Sequence, residues 1–180
     1  GESKWITGEA ARRDVQFWRA KSSAILTGID TVLADDPSLT VRLNPEELAI
    51  EGEVRQPVRV ILDSQLRLLS SAKLLGLPGK TLVYTQCSSH SKIQALESAG
   101  AEVVIMQKQQ QDSRMSLRAV LKDLAVREIN EIHTEAGAKL CGSLIQEGLA
   151  NELLLYMAPH LLGSDGLGAF HLPMLKTMTD

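Results

Sequence analysis

Three stretches of the chain hold polar residues whose types and spacing could do chemistry. The first, Thr27 to Arg42, reads TGIDTVLADDPSLTVR and follows the apolar run Ala24-Ile25-Leu26. Gly28 can take the positive φ that turns backbone amides outward. Asp30 or Thr31 can cap Val32-Leu33-Ala34, and Pro37 forces Asp36 out of the α region. A helix start directly after a strand suits an anionic ligand, because its free N–H groups and its dipole both point at the charge. The second stretch is Asp63-Ser64, the polar end of the β-branched run Val58 to Leu62. The third, Ile129 to Gly148, reads INEIHTEAGAKLCGSLIQEG. A strand through Ile132 and Thr134 ends at Glu135 there, Gly137 starts a tight loop, and a helix follows with Leu140, Leu144 and Ile145 turned inward. Ser143 follows Gly142 directly and the lysine of a phosphate loop is missing, so a nucleotide hydrolase is excluded; the pattern is not G-x-G-x-x-G either. Taken singly, each stretch could do no more than cap a helix and close a loop.

The elements that must position these groups follow from periodicity. A helix from Thr7 or Gly8 through Arg19 has Ala11, Val15 and Trp18 on one face, with Trp18 directed to the core. Ser22 to Thr27, Val58 to Leu62, Thr81 to Thr85 and Ala101 to Met106 are strands, and Asn151 to Pro159 is expected to be another. Ser91 to Ala99 is a helix closed by Gly100, and Ser116 opens one carrying Leu117, Val120, Leu121 and Leu124 on its inner face. Asn44 to Gln56, Gln107 to Asp112 and Leu162 to Gly166 are loops, and Leu172 to Asp180 shows no closing element. Strands alternating with helices imply right-handed crossovers and a largely parallel sheet. In such sheets ligands sit at the carboxyl ends of the strands, where all three polar stretches fall.

Composition narrows the class. The chain has 180 residues, which is one domain with room for a proper core. A net charge of −3 and 3% aromatic residues give no electrostatic or stacking case for nucleic acid or a membrane surface. No run approaches the roughly 20 apolar residues of a membrane helix, and the N-terminus lacks the order of a signal peptide, so the cytosol is the expected location. Cys87 and Cys141 stand far apart and read as packed thiols, and the four histidines lack ligand spacing, so no metal site is expected.

Together these residues support a resemblance. Ser3-Lys4-Trp5-Ile6-Thr7, Ala11-Arg12-Arg13-Asp14, Arg19, the stretch TGIDTVLADDPSLTVR, Leu62-Asp63-Ser64, Thr134-Glu135-Ala136-Gly137, and Ala158-Pro159 through Leu162-Gly163 come in one order. In that order they resemble the reductase domain of the bifunctional riboflavin-biosynthesis deaminase/reductase. The resemblance implies a dihydrofolate-reductase-like α/β fold. It also implies NADPH-dependent reduction of the ribosylamino group of a phosphorylated aminouracil to a ribitylamino group, in a homodimer. By the same resemblance Ser3, Arg19, Leu39 and Arg42 line the substrate site, with Arg19 and Arg42 on the ribose phosphate, and Glu135 hydrogen-bonds the substrate. Trp5, Thr31, Asp35 and Ser64 fall on the NADPH side with Gly137, Ala138, Lys139, Leu140, Cys141, Gly142 and Ser143. Asp35 or Glu135 could balance an iminium charge or relay a proton. Measured against that family, residues 1–180 read as a reductase domain short of terminal strands at both ends. The deaminase half, with its His-x-Glu and Pro-Cys-x-x-Cys zinc ligands, is absent from the sequence and is expected elsewhere in a longer parent chain. Two rivals are a non-catalytic NADP-binding or regulatory domain of the same fold, and a related reductase acting on a pterin or another ribosylamino-pyrimidine.

Overall fold

The structure, a computed structural model, describes residues 6–107, 114–159, 166 and 168–173. Among these residues five strands form one sheet: β1 (Ala24–Gly28), β2 (Val58–Leu62), β3 (Thr81–Thr85), β4 (Ala101–Ile105) and β5 (Ile132–Thr134). All the pairings are parallel, in the order β4-β3-β2-β1-β5. The near-continuous apolar runs of β1 to β3 have this cause, because a parallel sheet is covered on both faces. One face packs Ala24, Leu26, Val60, Leu82 and Tyr84 beneath Leu117, Val120 and Leu124 of α4 (Leu117–Val126) and Leu144 of α5 (Ala138–Gln146). The other packs Ile61 and Val83 beneath Ile29 and Val32 of α2 (Ile29–Asp35) and Leu96 of α3 (His90–Ser98).

Strands β1 to β4 are laid down one after another in one direction, and β5 then returns to the far side of β1. The direction of progress therefore reverses between β1 and β5. At such a switch point the connections leave on opposite faces and a crevice opens above the strand ends. Register brings Leu26 of β1 beside Thr134 of β5 and Val60 of β2, so the residues just beyond these strands share one edge.

Three local expectations need correction. Gly28 is extended at φ −97 and is itself the N-cap of α2, so Asp30 and Thr31 lie inside the helix instead of capping it. The strand runs straight into the helix, which leaves no intervening residue for a side-chain cap. In α1 (Glu9–Lys21) the buried residues are Gln16 and Arg19, whereas Ala11, Val15 and Trp18 are half-buried. The polar face of that helix is the one turned to the sheet edge. Residues 151–159 form no strand; Leu153, Leu155 and Met157 point outward while Leu154, Tyr156 and Ala158 are half-buried. The alternation that suggested a strand is present, but the segment makes no ladder and is tied instead by the Tyr156 hydroxyl, which donates to Asp14 of α1 at 2.5 Å. Two further expected features, the Gln107 to Asp112 turn beyond residue 107 and the Leu162 to Gly166 loop before residue 166, lie outside the described residues. No helix among the described residues is long and apolar enough to cross a membrane.

Candidate active site

The crevice is built from α1, the irregular segment after α2, and the ends of β1, β2 and β5. Arg19 reaches it from the last turns of α1 and is buried. Its Nε donates to Glu135 Oε1 at 2.6 Å, Nη2 donates to Oε2 at 2.7 Å, and Nη1 donates to the Thr40 carbonyl at 2.9 Å. Glu135 extends β5 by one residue, its N–H donating to the Leu26 carbonyl at 3.0 Å. The two-pronged geometry is the strong form of a carboxylate–guanidinium contact. It closes a span of 116 residues in sequence.

The segment Leu39-Thr40-Val41-Arg42 has no ladder, so its backbone groups must find other partners. Side chains supply them. Arg19 takes the Thr40 carbonyl, Gln56 both accepts from Val41 N–H and donates to its carbonyl, and Gln16 accepts from Arg42 N–H at 2.9 Å. Two non-glycine residues here have positive φ, Asp36 at 40 and Leu39 at 48. Such conformations are sparsely populated for residues with a Cβ and persist where the surroundings over-determine them. Asp36 leaves the right-handed α region before Pro37, as the proline requires.

Beside the pair lies a groove of about 810 Å³, lined among others by Trp18, Leu26, His133, Glu135, Tyr156 and Phe170. Its volume is in the range of small-ligand sites. His133 Nε2 stands 3.5 Å from Glu135 Oε1. Burial holds the His133 pKa below its ordinary value; the Glu135 carboxylate works against that shift and Arg19 adds to it. The Tyr156 hydroxyl is pushed up to about 12 by burial and by the Asp14 carboxylate.

The donor set for a dinucleotide can be tested on the helix starts. Ser116 caps α4 through its hydroxyl, which accepts from Ala119 N–H at 3.3 Å. By contrast α5 begins at Gly137, which makes no side-chain cap, is exposed, and has open space where a Cβ would stand. Its first-turn N–H groups are therefore offered to a ligand, and a diphosphate suits them. Thr27 Oγ1, fully buried at the end of β1, has no hydrogen-bond partner among the described residues. These features fit a dinucleotide diphosphate at the switch point.

The remaining expected site residues divide as follows. Thr31 is half-buried in the first turn of α2 and Ser64 is exposed just beyond β2, so both lie on the same edge as Gly137. Leu39 is buried, and Arg42 is exposed. Asp35 is exposed at the carboxyl end of α2 and joins none of the ion pairs among the described residues. Within the loop and helix after β5, Ala138 accepts from His171 N–H at 2.9 Å and Lys139 is exposed. Leu140 packs into the core, and the half-buried Cys141 thiol, its pKa raised by burial, donates to the Ala136 carbonyl. Ser143 donates to the Lys139 carbonyl. Gly142 meets the His171 backbone so closely that a Cβ would fall 2.2 Å from its carbonyl oxygen. Ser3 and Trp5 lie outside the described residues.

Gln16, Gln56 and His133 were not singled out from sequence. For Gln16 a signal existed, since Arg12, Gln16 and Arg19 recur at i, i+4 and i+7 along one helix face. No comparable pattern marks Gln56 or His133.

Comparison with known proteins follows the same outline. The RibD C-terminal domain family matches residues 1–179. The riboflavin biosynthesis protein RibD of Escherichia coli K12 is 41% identical over the whole chain, which corresponds to 49% of that protein. A protein of Buchnera aphidicola subsp. Acyrthosiphon pisum, named 5-amino-6-(5-phosphoribosylamino)uracil reductase, is 38% identical over 92% of the chain and 79% of its own length. Among solved structures, RibD of Acinetobacter baumannii superposes with a TM-score of 0.80 at 39% identity, over 99% of this chain and 46% of that one. The chain thus spans about half the length of the RibD proteins it matches.

Proposed function

Because this chain belongs to the RibD C-terminal domain family and has its dihydrofolate-reductase-like fold, we propose that it reduces 5-amino-6-(5-phosphoribosylamino)uracil to the ribitylamino compound. The observation that carries the proposal is the bidentate Arg19–Glu135 pair, set at the switch point between β1 and β5 beside the glycine-started helix α5. When bound, the reduced nicotinamide supplies a hydride for the ribose C1′ of the opened ribosylamine. The chain's own residues then have three tasks. The α5 start, with Thr31 and Ser64 along the same edge, holds and orients the dinucleotide. Arg42, exposed at the end of the irregular segment, is free to swing to the substrate phosphate, and Arg19 adds permanent positive charge behind it. Glu135, fixed by Arg19 in one orientation, presents a carboxylate that hydrogen-bonds the substrate and balances positive charge developing at its nitrogen. Asp35 is the weaker of the two carboxylate candidates, because it is exposed and joins no ion pair among the described residues, whereas Glu135 is held by Arg19.

NADPH as the donor, a homodimer and a cytoplasmic location belong to the same proposal, supported by the resemblance and not by a bound ligand or partner. Residues 1–180 are assigned the reductase portion, and no deaminase step is assigned to them. The test follows loss of NADPH absorbance with the phosphoribosylamino-pyrimidinedione generated in place, for this chain and for a form extended at both ends. Oxidation that depends on the substrate supports the assignment. NADPH binding without oxidation in either form moves it to a non-catalytic module, and oxidation driven by a pterin moves it to the related reductase.

A further inference from the structure

One nearly buried side chain on the inner face of α1 has donors to which no role has yet been given. Gln16 is 8% exposed, and its Oε1 accepts from Arg42 N–H at 2.9 Å. Only the carbonyl end of an amide can accept, so the Arg42 donor assigns which way the side chain is turned. The two N–H groups of Nε2 are left over, and among the described residues no hydrogen bond engages them. They are not sealed in either. Thr27 Oγ1, Asp63 Oδ1 and Gln86 Nε2 are unpartnered and closed off from solvent, whereas the Gln16 nitrogen keeps contact with it. An oriented pair of neutral donors therefore faces open space from an otherwise buried side chain.

Helix geometry says what stands around those donors. Arg19 lies one turn further on, about 4.5 Å along the axis, and helical side chains lean toward the N-terminus, so its guanidinium comes back toward Gln16. The irregular segment forms the opposite wall, with the Thr40 carbonyl on Arg19 and the Arg42 N–H on Gln16. The exposed Arg42 side chain leaves from the residue whose backbone Gln16 grips. The Arg19 charge is met by Glu135, whereas Arg42 joins none of the ion pairs among the described residues. An uncompensated guanidinium beside neutral N–H groups suits a phosphate monoester, whose oxygens accept from both. We propose that Gln16 is a substrate-binding residue: its Nε2 donates to the phosphate that Arg42 attracts, while its Oε1 holds the Arg42 backbone so that guanidinium and amide meet one anion. The amide adds direction without another cation on a helix face that already carries Arg12 and Arg19. This inference rests on the reductase assignment above and adds to it a residue with two separable functions.

The experiment titrates ribose 5-phosphate, the phosphorylated end of the proposed substrate, calorimetrically into the chain and into its Gln16→Glu and Gln16→Met variants, and follows NADPH oxidation by each. Gln16→Glu keeps an oxygen for the Arg42 N–H but turns the donors into a charged acceptor, so binding should weaken roughly a hundredfold. Gln16→Met removes donor and acceptor together and should weaken it about tenfold. In turnover KM should rise in the same order while kcat stays within about twofold of the parent. If Gln16→Glu binds ribose 5-phosphate as tightly as the parent, Gln16 only braces Arg42 and the inference is overturned. A fall in kcat with KM unmoved overturns it as well. In either case NADPH oxidation by the parent leaves the reductase assignment standing. A parent that binds ribose 5-phosphate but oxidises no NADPH loses that assignment, and the calorimetric comparison still decides the role of Gln16. Neither binding nor oxidation in the parent overturns both.

Discussion

Among the described residues two arginines are buried, at opposite edges of one sheet, and their partners differ in kind. Arg59, in β2 near the amino edge, is satisfied by neutral acceptors: the Thr81 hydroxyl and the carbonyls of Leu77, Pro78 and Gly79. Burial lowers its pKa, with no acid beside it to oppose the shift. Arg19, at the carboxyl edge, meets Glu135 across the crevice and the Thr40 carbonyl. The Arg59 arrangement fixes a turn, including Gly79 at φ 106, and leaves no charged group for a ligand to engage. The Arg19 arrangement leaves a carboxylate in a groove, where an arriving ligand can share or redirect it. A buried cation with neutral partners is a structural staple, whereas one with an acid at an open edge is available for chemistry.

The largest effect expected from that difference is on stability at Arg59. Arg59→Met strands three carbonyls and a hydroxyl, and should cost about 3 kcal/mol in urea unfolding. NADPH oxidation by the fraction that stays folded should be unchanged. If activity falls first, the staple assignment is wrong. Glu135→Gln should lower kcat/KM of the folded protein about a hundredfold with kcat carrying most of the loss, and the urea midpoint should also fall because the buried Arg19 charge loses its bidentate carboxylate. A variant that turned over at the parent rate would take Glu135 out of the chemistry.

His133 offers a smaller, pH-dependent test beside Arg19. Its folded pKa is depressed by burial, so the unfolded chain takes up the proton first as pH falls. Its stabilising contribution is complete above the unfolded pKa of about 6.5 and is lost as pH drops through the folded value. His133→Gln should flatten unfolding free energy below about pH 6.5 and leave it unaltered at pH 8. A slope that persists in the variant assigns the acid sensitivity to other groups. The smallest effect is expected at Tyr156, whose bond to Asp14 on the same helix as Arg19 is exposed. Tyr156→Phe should cost under about 1 kcal/mol. A larger loss would mean that residues 151–159 brace α1, and through it the Arg19 pair.

Much of this architecture was legible in the amino-acid order. The apolar runs of β1 to β3, the Ser116 start of α4 and the Gly100 end of α3 are local signals, and each is found where its chemistry predicts. Glu135 and Gly137 could be placed at a strand end for the same reason. The misplaced features depend on what lies nearby in space. Glycine permits a positive φ at position 28, but Gly28 here passes directly from strand to helix in an extended conformation. Residues 151–159 have a strand's alternation, yet pairing requires a neighbour, and the alternation specifies none. Helical spacing puts the apolar residues of α1 on its inner face, and a polar face turned inward makes sense only once Glu135 and the Arg42 backbone stand opposite it.

The sequence by itself determined that strands and helices alternate, that the sheet is largely parallel, and that three polar stretches share its carboxyl edge. Those properties come from side-chain period, branching and the backbone limits of glycine and proline, all of which act within a few residues. Only the tertiary structure decided that β5 crosses to the far side of β1, and so opened the crevice. It also decided that Arg19 and Glu135, 116 residues apart, are partners, and that Arg67 meets Asp30. Strand order and long-range charge pairing are set by which surfaces can be buried together, and no local pattern carries that information.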